Sequence, residues 1–380
     1  VLMAPTEVLA VQHWADLEET LAHSRVKRLL LTGQLTPAQR RNELAAIRSG
    51  EVDLVVGTQA VIQQDVEFER LGLAVIDEQH KFGVAQRARF STGHGSPHVL
   101  VMTATPIPRS LCLTQFGDLD VTVIRDMPPG RQKVVTSRVR GPRTRAKAWD
   151  FIRRQLAAGR QAFVVCPRIE GTDAEAETPF VASAEQVYQR LVAEELQGFR
   201  VGLAHGQMDA GAKTTAMDAF RHGELDALVA TTVVEVGVDV PNATIMAVIE
   251  AEHFGLSQLH QLRGRIGRGK FPGYCFLFSE TDTPEADRRL QALVDSENGF
   301  EIAEVDFQLR GPGDVLGTRQ HGEMPLRVAN IHRDQQILGE ARTAAFALVE
   351  SGRFDEPECV PLKVRVLDRF AQVMDLPQSG

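Results

Sequence analysis

The chain reads as short apolar runs separated by stretches with helical spacing. The runs fall at residues 29–31, 52–57, 73–77, 99–103 and 121–124, then at 134–139, 162–166, 227–231, 245–249 and 274–278. They are rich in Val, Ile and Leu at consecutive positions, the pattern of strands buried on both faces. Helix ends stand between them. Thr36-Pro37-Ala38-Gln39 is a capping box with proline at the first helical position, and Gly50 stops that helix. Ser183-Ala184-Glu185-Gln186 opens another, closed by Gly198. Strand alternating with helix predicts an α/β fold with parallel sheets covered on both faces. The strand pattern ends after Phe278. Residues 279–380 read as polar or amphipathic helix, broken at Arg310-Gly311-Pro312-Gly313.

An internal repeat sharpens the picture. A shift of 173 residues lays 32–58 on 205–231 with 9 identities in 27 positions and no gap. Gly33 falls on Gly206, Arg48 on Arg221, Gly50 on Gly223, Asp53 on Asp226 and Thr58 on Thr231. Both copies read loop, helix, glycine stop, strand and threonine. Two copies of one α/β domain in tandem are expected, with Thr58 and Thr231 at equivalent ligand-facing positions beyond strand ends. Met127-Pro128-Pro129-Gly130-Arg131 reads as the linker, because Pro-Pro continues neither a helix nor a central strand. Residues 171–177, acidic and poor in apolar side chains, read as a mobile loop.

Composition narrows the class. The 380 residues are 43% apolar and 24% charged, enough for two or three domains with cores of their own. No apolar run is long enough for a transmembrane helix, and Val1-Leu2-Met3-Ala4-Pro5 lacks the basic region of a signal peptide. A net charge of −8 argues against a basic DNA-coating protein but leaves room for a local nucleic-acid groove. Cys112, Cys166, Cys275 and Cys359 lie far apart, which fits a reducing cytoplasm better than a zinc ribbon or disulfide framework. His13, His23 and His94 lie on amphipathic or polar stretches and are expected at the solvated surface.

Candidate chemistry gathers at strand ends. Leu73-Ala74-Val75-Ile76 runs into Asp77-Glu78-Gln79-His80. Two adjacent acids after a buried strand suit a cation and an activated water; a solvated turn is the plain alternative. His80, two positions after Glu78, reads as a residue that orients the site. Val101-Met102-Thr103-Ala104-Thr105-Pro106 is a second strand running into hydroxyls. Thr231-Thr232-Val233-Val234-Glu235-Val236-Gly237-Val238-Asp239 follows a strand of the second copy. Gln261-Leu262-Arg263-Gly264-Arg265-Ile266-Gly267-Arg268 sets arginines between glycines, suiting close approach and bidentate phosphate contact.

In this order the motifs resemble those of superfamily 2 nucleic-acid helicases. Gly299-Phe300-Glu301-Ile302-Ala303-Glu304-Val305-Asp306, Leu309-Arg310-Gly311-Pro312-Gly313 and Leu316-Gly317-Thr318-Arg319-Gln320 resemble the TRG segment shared by the RecG branched-DNA helicases and the Mfd transcription-repair coupling factors. Gln79 in the acid box, Gly-Thr-Arg-Gln, and Phe116-Gly117-Asp118-Leu119-Asp120 with the Pro-Pro linker favour the RecG family. The resemblance implies two tandem RecA-like parallel-sheet lobes, 1–130 and 131–280, and a mainly helical TRG region at 281–380. It also implies an ATP-dependent DNA helicase acting on forks and Holliday junctions, a monomeric motor of the bacterial cytoplasm and nucleoid, with no membrane role.

The roles it implies are specific. Asp77 would hold Mg2+ and Glu78 would activate the hydrolytic water on ATP. Gln261, Arg265 and Arg268 would offset charge on the transferring phosphoryl group, and Gly237 and Asp239 would line the nucleotide pocket. Pro5, Thr6, Thr58, Gln59, Arg109, His205, Gly206, Thr231 and Thr232 would contact DNA, mostly its phosphates. Thr103, Thr105, Arg310 and Gln320 would couple nucleotide state to DNA movement. The family's Walker A loop does not occur. Gly264 to Phe271, G-R-I-G-R-G-K-F, resembles it but ends in Phe271 where a hydroxyl is needed and follows an expected helix. A fragment beginning after the P-loop helix, inactive alone, is therefore expected. An Mfd-like translocase and a non-catalytic nucleic-acid-binding chain are the other readings.

Overall fold

The computed structural model describes the chain except residues 34, 79–96, 105–119, 125, 127–131, 168–183, 232–239, 282, 311–333 and 375–380. The expected linker at Met127–Arg131, the loop at 171–177, and Ser183, His80, His94 and Cys112 lie outside the described residues. The chain divides into two units, Val1–Ala104 with Asp334–Gly380, and Thr105–Arg333.

The first unit carries a parallel five-stranded sheet: β1 (Leu2–Met3), β2 (Arg28–Leu31), β3 (Leu54–Gly57), β4 (Leu73–Ile76) and β5 (His98–Val101), in the order β2-β3-β1-β4-β5. Two helices accompany it, α1 (Glu7–Thr20) and α2 (Pro37–Arg48). The capping box is formed as the sequence requires: the Gln39 amide N–H donates to Thr36 Oγ1 and the Thr36 amide N–H to Gln39 Oε1. Gly50 sits at φ +70°, open to glycine without strain. The sheet is covered on both faces. Met3, Leu31, Val55, Ala74 and Ile76 form one core. Ala4, Ala10 and Val56, with Leu2, Trp14, Leu17 and Leu30 against them, form the other.

The second unit has six parallel strands: β6 (Val134–Val139), β7 (Gln161–Val165), β8 (Val201–Ala204), β9 (Ala227–Ala230), β10 (Ala243–Val248) and β11 (Gly273–Phe278), in the order β6-β11-β10-β7-β9-β8. Its helices are α3 (Gly141–Ala157), α4 (Ala184–Ala193), α5 (Ala210–Arg221), α6 (Leu256–Arg263), α7 (Pro284–Asp295) and α8 (Gly299–Arg310). Strands β7, β9 and β10 are buried throughout. Alternate residues serve opposite faces: Phe163, Val165, Leu228, Met246 and Val248 pack on one. Ala162, Val164, Val229, Ile245 and Ala247 pack on the other, where Trp149 stacks on Phe278 at 5.1 Å between ring centroids. Two further helices, α9 (Gln335–Glu350) and α10 (Val360–Met374), close the described chain. The result is an α/β fold of two parallel-sheet lobes with a helical C-terminal region.

The repeat is structural as well as sequential. Without edge strand β6, the second sheet runs β8-β9-β7-β10-β11, the first sheet's order element for element. The shift of 173 carries β2 onto β8, α2 onto α5 and β3 onto β9 without slippage. Hydrogen bonds repeat too. The Lys27 N–H donates to Asp53 Oδ2 at 2.9 Å, and the Arg200 N–H to Asp226 Oδ2 at 2.8 Å. The only two non-glycine residues at positive φ among those described are Glu78 (+53°) and Glu250 (+50°), each two positions past its strand, β4 and β10.

Asp226 also accepts from the Arg200 guanidinium, and this bonding holds its carboxyl below the ordinary aspartate value. A lowered folded value means the tie contributes fully above the ordinary value and is lost as pH falls through the lowered one. Asp226→Asn is expected to lower Tm by about 2–4 °C near neutral pH and to flatten the acid limb, read by thermal scans at a series of pH values.

Three expectations need correction. Residues 121–124 form no strand; Val121, Val123 and Ile124 are 53%, 43% and 86% exposed. Val, Thr and Ile favour a strand only where a ladder partner and a covering face exist. Helix α4 stops at Ala193, short of Gly198, which instead takes φ +88° in the turn beyond. Strands β1 and β8 were not expected: β1 has two residues, too few for periodicity, and β8 contains Gly202. A Cβ there would stand 2.4 Å from Leu225 Cδ1, so packing explains a residue that disguises the strand.

Candidate functional site

In a parallel sheet, ligands gather beyond the carboxyl ends of strands, beside the point where the chain reverses its direction of winding. In the first unit that point lies between β1 and β4, since β2 and β3 lie to one side of β1 and β4 and β5 to the other. The topology therefore brings to one sheet edge Pro5 and Thr6 after β1, Thr58 and Gln59 after β3, Asp77 and Glu78 after β4, and Thr103 after β5.

The acid pair is held from both sides. The Asp77 N–H donates to Met3 O at 2.9 Å, continuing the ladder, so the chain leaves the sheet only at Glu78. The left-handed turn at Glu78 brings its carboxylate to the Ala104 N–H, with Oε2 at 3.4 Å, inside the Thr-Ala-Thr segment. Met102 N–H donates to Ile76 O at 2.8 Å and holds Thr103 and Ala104 beside the acids.

His13 is a correction. The sequence places it on the solvated surface, whereas it lies beside Asp77, with Nε2 3.0 Å from Oδ2. Its side chain is 28% exposed and that of Asp77 19%. The bond from Asp77 raises the His13 pKa above the ordinary histidine value, against burial, which lowers it. The overlooked signal was helical spacing: Ala10, His13, Trp14 and Leu17 share one face of α1, and three of them pack on the sheet. Asp77 Oδ1 takes no hydrogen bond from a described residue, and among those residues no group of three or more His, Cys, Asp or Glu is placed to hold a metal ion.

The remaining candidates vary in setting. Thr6 is the N-cap of α1, its Oγ1 accepting from the Leu9 N–H at 3.4 Å, which leaves its hydroxyl proton to donate. Thr58 is half-buried, Gln59 exposed and Thr231 buried. His205 pairs with Glu185 at 2.9 Å, and Gly206 is exposed. Gln261 and Arg265 are half-buried and Arg268 is exposed, its Nε donating to Gly264 O at 3.1 Å. Thr105, Arg109, Thr232, Gly237, Asp239 and Gln320 lie outside the described residues; Arg310 ends α8 and its side chain is not among those described.

The arginine motif is not uniform. Arg263 is 4% exposed and donates to Leu293 O and Ser296 O, both at 2.8 Å, capping the carbonyls at the end of α7. Gly267 is required by its φ of +74° and by a Cβ that would meet Val134 Cγ2 at 2.9 Å. The Walker-like stretch from Gly264 does follow a helix, α6, and not a strand. Elsewhere Cys166 and Cys275 are buried free thiols, both with pKa pushed up to about 12 by burial, which disfavours the reactive thiolate.

Comparison with known proteins follows the same layout. A DEAD/DEAH box helicase family matches residues 1–113, a helicase conserved C-terminal domain 147–270, and the C-terminal part of domain 3 of the ATP-dependent DNA helicase RecG 296–369. An ATP-dependent DNA helicase RecG from Synechocystis sp. is 45% identical over 98% of this chain and 44% of its own length. One from Thermotoga maritima is 44% identical over 90% and 43%. A structure of RecG bound to a three-way DNA junction superposes with a TM-score of 0.66 at 40% identity, covering 89% of this chain and 43% of that one. The chain spans about half the length of the curated relatives it matches. No described helix is long and apolar enough to cross a membrane.

Proposed function

The chain belongs to the RecG family of ATP-dependent DNA helicases, and on that premise we propose that it is the motor portion of a protein that hydrolyses ATP to remodel stalled forks and recombination junctions. Family membership favours this over the transcription-repair reading. Nucleotide use follows from the family; that Mg2+ accompanies it is our inference. The donor set fits: Asp77 offers one oxygen beside the His13 bond, and Mg2+ takes few protein carboxylates together with phosphate oxygens and waters. When bound, Mg2+ would neutralise phosphate charge.

The chain's own residues then divide the work. Glu78 accepts a proton from the attacking water. Gln261, Arg265 and Arg268 offset charge on the transferring phosphoryl group, and Gly237 and Asp239 complete the nucleotide contacts. Pro5, Thr6, Thr58, Gln59, Arg109, His205, Gly206, Thr231 and Thr232 hold backbone phosphates, which position a strand without reading its sequence. Thr103, Thr105, Arg310 and Gln320 pass nucleotide state on to DNA movement. We keep 1–130, 131–280 and 281–380 as the functional partition, and a bacterial cytoplasmic, nucleoid-associated monomer as the working state.

The observation that carries this reading is the acid pair at the end of β4, with Glu78 turned to the Thr-Ala-Thr segment. The test is ATP turnover by the complete gene product with a three-way or four-way junction, with linear duplex and without DNA. Junctions should stimulate most. A rate indifferent to DNA overturns the junction-remodelling reading, and no turnover overturns it in favour of a non-catalytic chain.

A further inference from the structure

Helix α1 touches both halves of the proposed site. Its N-cap, Thr6, and the preceding Pro5 are candidates for a DNA strand, and two turns along it His13 reaches Asp77. The helix is tied at three places. Glu7 Oε1 accepts from the Gly33 N–H at 2.9 Å, His13 meets Asp77, and Arg28 bonds Leu17 O and pairs with Glu18. Only the middle tie ends on an acid of the pair. It also spans the reversal point of the sheet, since α1 follows β1 and Asp77 follows β4.

We propose that His13 is a positioning residue that orients the Asp77 carboxylate and links strand engagement at the N-terminus of α1 to nucleotide turnover. With its proton on Nε2, the imidazole donates to Oδ2, which would fix the carboxylate plane and leave Oδ1 available to a nucleotide-bound cation. Such outer partners of a metal-holding carboxylate are worth about 10–100-fold in metal affinity or activity. A strand seated on Pro5 and Thr6 bears on the helix that carries His13, so the geometry of Asp77 becomes sensitive to DNA. The proposal rests on the functional reading above.

The experiment compares His13→Ala, His13→Leu and His13→Gln with the unaltered sequence in the complete gene product. Glutamine can place an amide N–H where Nε2 stands; leucine supplies only bulk. Junction-stimulated kcat should fall about 10–100-fold in the Ala and Leu variants and recover substantially in Gln, with KM for ATP changed less than about threefold. Junction affinity without nucleotide should be unchanged. A direct readout is the tightening of a fluorescent ATP analogue by Mg2+, which should weaken in Ala and Leu and return in Gln. Rescue by Leu equal to that by Gln, or an Ala variant with unaltered kcat and unaltered Mg2+ tightening, overturns the proposal. Should the unaltered protein bind nucleotide with Mg2+ but ignore DNA, the functional reading and the link to α1 both fall; the tightening still decides whether His13 orients Asp77.

Discussion

In the complete gene product, Glu78→Gln should lower ATP turnover about 10²–10⁴-fold while leaving ATP affinity nearly unchanged, the range expected when a general base is removed. The substitution keeps size and leaves one amide oxygen able to accept from the Ala104 N–H, while removing the negative charge and the capacity to accept a proton. A second variant separates chemistry from fold. Glu78 holds φ +53°, a conformation costing a residue with a Cβ roughly 1–2 kcal/mol. Glu78→Gly should therefore be as inactive as Gln but no less stable than the unaltered protein. Steady-state ATPase assays, nucleotide titration and urea unfolding check the three statements. Turnover by Glu78→Gln within tenfold of the unaltered rate would remove Glu78 from the chemistry.

The left-handed turn at Glu78 is not by itself a mark of catalysis. Glu250 adopts the same turn at the equivalent position of the second sheet, where Ile249 stands in place of Asp77. The Ile249 N–H donates to Val165 O at 2.8 Å as that of Asp77 donates to Met3 O at 2.9 Å. The turn belongs to the repeated lobe; the pairing with Asp77 makes one copy a candidate for phosphoryl chemistry. The sequence carried the acid pair because both residues are adjacent in the chain. It carried most strands because buried parallel strands are continuous apolar runs, and the repeat because caps, glycine stops and Asp53/Asp226 recur at fixed spacing. It did not carry β1, too short to have a period, nor β8, whose Gly202 answers to Leu225 from a distant part of the chain. His13 escaped for a related reason. One histidine on an amphipathic helix is ambiguous until the partner 64 residues away is known.

The arginine motif is where sequence similarity and physical role diverge most, and a paired substitution separates them. Arg268 is exposed, and its Nε donates to Gly264 O one turn back. Arg268→Ala should lower kcat about 10³-fold or more, the lower end of what a charge-offsetting arginine supplies to phosphoryl transfer, with stability unchanged. Lysine should not rescue it, because a compact ammonium cannot reproduce a planar fork. Arg263 is buried, and its side chain satisfies the last carbonyls of α7. Arg263→Ala should strand those acceptors and cost about 2–3 kcal/mol of stability, read as a lower urea midpoint. Any loss of turnover in that variant should track the fraction unfolded. If Arg268→Ala instead lowers the midpoint and turnover per folded molecule is unchanged, Arg268 serves the fold and not the nucleotide. The guanidinium that acts on the nucleotide would then have to be sought at Arg265, the half-buried member between them.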